Sequence, residues 1–283
     1  MKKVLLMLLA LVLVLSFTAC GKPDEPVKDN DQNVNDNTDN DQNVNDDQNA
    51  DADGEDDKVE EKVMTYAEYM AANKDAAVVI EAYVQAKQGW WTDDTGVSKA
   101  TIYAQDKDGG YFIYDLPCSE EEYNKMTVGT KIRVSGFKAE FNGEVEIGAG
   151  AKLTIIEDAE KFTAEAKDVT ALLGTEELIN DMNKFVAFKG LTVAAKKDSA
   201  GNDVAFFYNW DGSGSQGSDL YFDVTDGTNT YSFTVESYLC GKDTDVYKAV
   251  EALKVGDKID AEGFLYWYNG ANPHITSVTV IAE

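Results

Sequence analysis

Val128-Gly-Thr-Lys-Ile-Arg-Val-Ser-Gly-Phe-Lys-Ala-Glu-Phe-Asn-Gly143 returns 127 residues later as Val255-Gly-Asp-Lys-Ile-Asp-Ala-Glu-Gly-Phe-Leu-Tyr-Trp-Tyr-Asn-Gly270. Eight of the sixteen positions are identical: Val, Gly, Lys, Ile, Gly, Phe, Asn and Gly. A single long repeat of this kind implies two homologous domains rather than a solenoid of short units. In each copy the stretch reads as a strand that runs into an Asn-Gly turn, a strong hairpin signal.

The same order of elements extends outward from both copies. A short amphipathic stretch opens each one, Tyr66–Ala72 and Glu176–Met182. A long strand follows, over 77–86 and 185–195. A hairpin comes next. In copy one it is 100–105 and 111–116 around Asp106–Gly110; in copy two it is 220–224 and 230–235 around Asp226-Gly227. A helical stretch then precedes the repeated strand, over 119–126 and 245–253. Ser119 with Glu122 has the spacing of a capping box. Five strands with a helix between the third and fourth resemble the OB-fold, a five-stranded Greek-key barrel, and in particular the OB modules of secreted bacterial proteins. The expected fold is therefore mainly β, two tandem OB-fold-like barrels. An immunoglobulin-like sandwich is the alternative, and the helix before the fourth strand argues against it. Gly136 and Gly263 fall where a strand must bend around a small barrel.

The amino terminus has a different character. Met1-Lys2-Lys3 is followed by an apolar run over 4–15 and then by Ser16-Phe17-Thr18-Ala19-Cys20-Gly21. At ~1.5 Å per residue the run is too short for a ~30 Å hydrocarbon core and reads as a signal-peptide core. Thr18 and Ala19 before Cys20 resemble the lipobox of bacterial lipoproteins, with Phe17 where that family usually has Leu. The resemblance implies cleavage before Cys20, lipidation of Cys20 and display outside the cell membrane; two or more acyl chains suffice for stable anchoring.

Residues 21–63 follow with 16 acidic residues and four lysines, and Asp29–Asp36 recurs identically as Asp39–Asp46. A segment this polar cannot offset its ordering entropy and is expected to be a disordered spacer. It is no EF-hand: counted from Asp29, the positions that need Gly and Glu hold Val34 and Asn40. The expected organisation is signal peptide 1–19, lipidated Cys20 and acidic tether 20–63, first barrel 64–160 and second barrel 161–283.

The chain carries 52 acidic and 25 basic residues, a formal net charge of −27, of which −17 falls on residues 64–283. That balance argues against duplex DNA, whose binding rests on Lys and Arg meeting phosphates. Lys184, Lys189, Lys196 and Lys197 are the one local collection of cations in copy two. His274 is the only histidine and reads as a surface or half-packed residue. No metal set, cofactor motif or catalytic constellation stands out. The Gly-Ser-Gly-Ser-Gln-Gly run at 212–217 lacks the Lys-Ser/Thr of a phosphate loop. The expectation is a non-catalytic module without cofactor or metal.

Cys118 and Cys240 end the third strand of their copies, so they are either two buried thiols or a disulfide; outside the membrane a bridge is permitted. The candidate ligand residues are aromatic. Trp90, Trp91 and Trp210 lie in the connection between strands one and two of their copies, and Tyr266 and Trp267 lie on strand four of copy two. Where copy two has Trp267, copy one has Glu140, so Trp267 is expected to face solvent and to be a better ligand residue than Tyr266. Phe137, Phe264 and Tyr268 are expected in barrel cores. Exposed aromatics in an OB groove stack on sugars or bases. A strongly acidic surface favours an extracellular glycan or a protein partner; single-stranded nucleic acid is the alternative, and a structural role in an envelope complex is a third.

Overall fold

A computed structural model describes residues 62–282. The expectations for the signal peptide, Cys20 and the tether up to residue 61 lie outside them. Among the described residues no helix is long and apolar enough to cross a membrane.

The first barrel is built from β1 (Ala77–Lys87), β2 (Ser98–Gln105), β3 (Gly110–Pro117), β4 (Lys131–Phe141) and β5 (Glu144–Ile147). β1 pairs antiparallel with β2 and with β4, β2 with β3, and β4 with β5; β3 and β5 run parallel, which closes the barrel. α1 (Tyr66–Ala71) precedes β1, and α2 (Glu120–Lys125) lies between β3 and β4. Ser119 and Glu122 form the capping box their spacing implies, and Thr65 with Glu68 forms another at α1.

The second barrel repeats the plan with β6 (Phe185–Ala194), β7 (Leu220–Thr225), β8 (Thr230–Val235), α3 (Asp245–Glu251), β9 (Lys258–Phe264) and β10 (His274–Val280). β6 pairs with β7 and β9, β7 with β8, β9 with β10, and β8 runs parallel to β10. The fold is therefore the tandem pair of OB-type barrels. Each barrel has its own apolar core, one centred on Ile80, Ile113 and Val134, the other on Phe188, Phe222 and Phe233.

Gly263 shows why a glycine recurs in the fourth strand. A Cβ there would lie 2.2 Å from the His274 carbonyl oxygen, so β9 and β10 could not approach as they do. The turn Asn142-Gly143 has positive φ at both residues (51° and 90°), as a tight hairpin turn of this type requires. Asn269-Gly270 likewise has positive φ at both residues (55° and 145°) and forms the tip of a longer loop, over 265–273, between β9 and β10.

Three packing expectations are corrected. Phe137 is 63% exposed and Tyr268 is 50% exposed, and Phe264 is buried but outside either barrel core. Strand parity explains this. Ile132 and Val134 point inward, so Gly136 and Lys138 do too, and Phe137 points out. Ile259, Ala261, Gly263 and Leu265 form the matching inward set, which turns Phe264 outward against the first barrel. Lys138 is buried and donates to the carbonyls of Met70 and Ala72 at 2.7 and 2.8 Å, holding the end of α1.

The disulfide option is also corrected. Cys118 and Cys240 are free, buried thiols in the separate cores of the two barrels. Burial pushes both thiols up to about 11, which keeps them protonated and unreactive.

Candidate ligand groove at the barrel junction

The outward faces of β2, β3 and β9 meet in a run of rings. Phe185 packs on Phe264 at 5.3 Å, Phe264 on Tyr103 at 4.7 Å, Tyr103 on Phe112 at 5.1 Å, and Phe112 on Tyr266 at 5.1 Å. Tyr266 stacks on His274 at 4.3 Å. His274 is thus buried, which corrects the expectation of a surface or half-packed residue. Its Nδ1 shares a 2.7 Å hydrogen bond with the Tyr103 hydroxyl. Burial holds its pKa down at about 3, so it is neutral and supplies no charge.

Backbone contacts cross the junction around these rings. Gly89 N–H donates to the Tyr238 carbonyl at 3.1 Å and Asn269 N–H to the Asn142 carbonyl at 2.7 Å. Gly110 lies so close to Asn183 that a Cβ would stand 2.2 Å from its carbonyl. The two Asn-Gly hairpin tips, equivalent in the two copies, therefore touch each other.

Along the open rim of this junction lie two adjoining cavities of about 600 and 560 Å³. They share Glu236, Tyr266 and His274. The larger adds Trp90, Trp91, Tyr114 and Asp115 from the first barrel and Tyr238 from the second. The smaller adds Phe141 together with Trp210, Asp219, Tyr221 and Tyr268. Volumes of this size suit a small organic ligand or a few residues of a chain.

Four of the five candidate residues, Trp90, Trp91, Trp210 and Tyr266, line these cavities. Trp91 is exposed, with Lys99 Nζ 4.5 Å over its ring, and Trp210 is the more open at 69% exposure. Trp90 is half-buried against the first core and donates to the Cys118 carbonyl at 3.0 Å, so it anchors the loop as well as bordering the groove. Trp267 is elsewhere. It packs half-buried on the second core and borders a different cavity with Leu173 and Pro273. The expectation that it faces solvent and outranks Tyr266 is corrected: Leu265 occupies the inward position, the strand ends at Phe264, and the loop folds Trp267 back on its own barrel. Sequence reasoning did not single out Tyr114, Tyr238, Tyr221 or Glu236. Tyr114 was findable as the outward residue of a strand whose neighbours Ile113 and Leu116 point inward.

The groove's charges are all of one sign. Asp115, Asp219 and Glu236 border it, and among the described residues no Lys or Arg does. Lys99 stands beside it but is held by Asp93 and Asp115 at 3.0 and 3.1 Å. The copy-two lysines are likewise committed: Lys184 to Asp181, Lys189 to Asp260 and Glu262, Lys196 to Asp223 and Lys197 to Asp203. Burial, with Asp219 nearby, raises Glu236 to about 7. Among the described residues no group of three or more His, Cys, Asp or Glu side chains is placed to hold a metal ion.

No protein-family model matches the sequence, and no curated protein sequence matches it. Some solved structures overlap it weakly. A murine DNA-binding protein bound to double-stranded DNA has a TM-score of 0.35 and 11% identity over 72% of this chain and 97% of that one. The HINb domain of p204 has a TM-score of 0.34 and 12% identity over 74% and 100%. A replication protein A heterotrimer bound to single-stranded DNA has a TM-score of 0.26 and 8% identity over 78% and 69%. Overlaps at this level carry no functional argument, and the barrel assignment stands on the strand pairing itself.

Proposed function

We propose that the protein is a non-catalytic binding module that holds a saccharide chain in the groove between its two barrels. The observation that carries this reading is a groove walled by Trp91, Tyr114, Tyr266, Tyr268 and Trp210 whose only charged lining groups are carboxylates. Aromatic faces stack on sugar rings, and carboxylates accept hydrogen bonds from sugar hydroxyls. Phosphate or carboxylate groups on a ligand would meet Asp219 and Glu236 with like charge, while Lys99 beside the groove is already paired with Asp93 and Asp115. The lipobox resemblance at Cys20 supports display on the outer side of the cell membrane, with residues 21–63 as the spacer.

The test is binding of the full chain to a panel of neutral oligosaccharides, repeated with Trp91→Ala and Trp210→Ala. Both substitutions should weaken a measured affinity about tenfold, as loss of a stacking platform does. Unchanged affinity in both would refute the groove assignment. For the anchor, Cys20→Ala should move the protein from the membrane fraction to the soluble fraction; full membrane retention would refute it.

Single-stranded nucleic acid is the second reading, favoured by the same row of rings, on which bases can stack. It requires a positive track for the phosphates, and the groove lacks one. Oligonucleotide binding that falls steeply between about 50 and 200 mM salt would support this reading. No binding at the lower salt would exclude it.

A further inference from the structure

We propose that the centre of the groove, where Glu236 borders both cavities, receives an ammonium group, so that the bound saccharide carries a free amine there. The inference rests on the groove reading above and adds which sugar occupies the middle of it.

Several partly buried carboxylates of this fold are held by cations. Glu81 is met by Lys131 and Arg133, Asp181 by Lys167 and Lys184, Asp223 by Lys196, and Asp115 by Lys99. Glu236 has no such partner among the described residues. Its Oε2 accepts a neutral hydrogen bond from Gln88 Nε2 at 2.9 Å, and the backbone N–H groups of Tyr238 and Leu239 also point to the carboxylate. Glu144 and Glu146 also lack a cation, but they are sealed in the junction and line neither cavity. Glu236 and Asp219 both combine a carboxylate unmatched by a cation among the described residues with access to a cavity of ligand size, and Glu236 is the one that borders both cavities.

Its surroundings extend the preference for a cation. Tyr114 and Tyr238 also line the larger cavity, and tyrosine rings attract ammonium groups through their negative π faces. Asp219 lies on the far side in the adjoining cavity, with its Oδ1 accepting from the Ser237 N–H and hydroxyl at 2.8 and 2.6 Å. The neighbouring His274 is neutral and Lys99 is already paired, so nothing cationic competes for the place. A charged amine would gain a charge-assisted hydrogen bond in a half-desolvated site, whereas an acetylated amine would offer only a neutral amide.

The experiment compares a chitosan pentasaccharide, with free amines, and its fully N-acetylated counterpart by calorimetry with the full chain near pH 7, where Glu236 is part-ionised. The amine form should bind about tenfold or more tightly, the difference expected of one hydrogen bond to a charged group. Glu236→Gln, which keeps the size and the Gln88 contact, should remove that preference, with the amine probe losing much more affinity than the acetylated one. A second measurement needs no variant: tetramethylammonium chloride should displace the amine probe more than sodium chloride at equal ionic strength. Equal binding of the two saccharides by the unaltered protein overturns the inference and leaves the groove reading standing. A preference that survives Glu236→Gln overturns it by placing the amine elsewhere. Binding of neither saccharide overturns both.

Discussion

Glu144→Gln should make the protein more stable at alkaline pH while changing little in acid. Glu144 opens β5 directly after the Asn142-Gly143 turn and is fully buried where the barrels meet. One oxygen, Oε2, accepts from the Trp267 N–H at 2.8 Å; the other, Oε1, has no partner. Asn183 is beside it, with Nδ2 donating to the Val145 carbonyl at 3.0 Å and a buried Oδ1 also unpartnered. A carboxyl proton between Glu144 Oε1 and Asn183 Oδ1 would satisfy both, and no Lys or Arg is paired there to favour the anion. Burial raises Glu144 from 4.5 to about 8, with Glu146 adding repulsion, against the nearby Asn183 amide and the hydrogen bond from the Trp267 N–H. The folded state therefore keeps a proton that the unfolded chain releases. Stability from this group is full below about pH 4.5 and is lost as pH rises towards 8. A rise of that size corresponds to roughly 5 kcal/mol across the window. Gln does not titrate, keeps the acceptor for Trp267 and can donate to Asn183. Urea denaturation of both proteins at steps from about pH 5 to 9 should give curves that diverge by several kcal/mol in favour of Gln. Glu236 titrates in both proteins and cancels in the difference. Parallel curves across the range would refute the reasoning.

Other substitutions probe the junction and the cores. Gly110→Ala places a Cβ 2.2 Å from the Asn183 backbone, and should cost about 1–3 kcal/mol in denaturant unfolding; wild-type stability would show that the barrels do not meet there. Trp267→Ala removes a ring packed on the second core and should cost roughly 2–4 kcal/mol, whereas Trp210→Ala should stay within about 0.5 kcal/mol. The reverse order in thermal melts would overturn the placement of the two rings. Apart from Cys20, alkylation should add no label to the native chain and two after denaturation; a single label or none in the denatured chain would contradict two free, buried thiols.

The elements that set the barrel were legible because they are local. The Val-Gly-x-x-Ile start, the Asp-Gly and Asn-Gly turns and the Ser119–Glu122 cap each act within a few residues, and each appears where its spacing places it. The inward and outward faces were equally available from the Ile132, Val134 and Ile259, Ala261 parity. Aromatic character obscured them, since Phe137 looks like core and Lys138 does not, yet Lys138 is the buried one. What lay beyond the sequence was the meeting of the copies. Tyr103 and His274 are 171 residues apart, and nothing near either one announces the other. Among 52 acidic residues, nothing local distinguishes Glu144, Glu146 and Glu236 as buried.

The groove follows from duplication combined with burial. In a single OB barrel the face of the second and third strands is free to take a ligand. Here Tyr103 and Phe112 on that face of the first barrel are covered by Phe264 of the second. The recognition surface is thereby displaced to the rim, where the first barrel's loop supplies Trp90 and Trp91 and the second barrel's loops supply Trp210, Tyr266 and Tyr268. Neither barrel holds these rings alone. A ligand that bridges the rim must therefore depend on the junction contacts as well as on the rings it touches. Gly110→Ala, which touches no ligand, should weaken binding along with stability, whereas Trp210→Ala should weaken binding alone. Loss of saccharide affinity in the first variant, measured under conditions where it remains folded, distinguishes a site made by the pair from one carried by a single barrel.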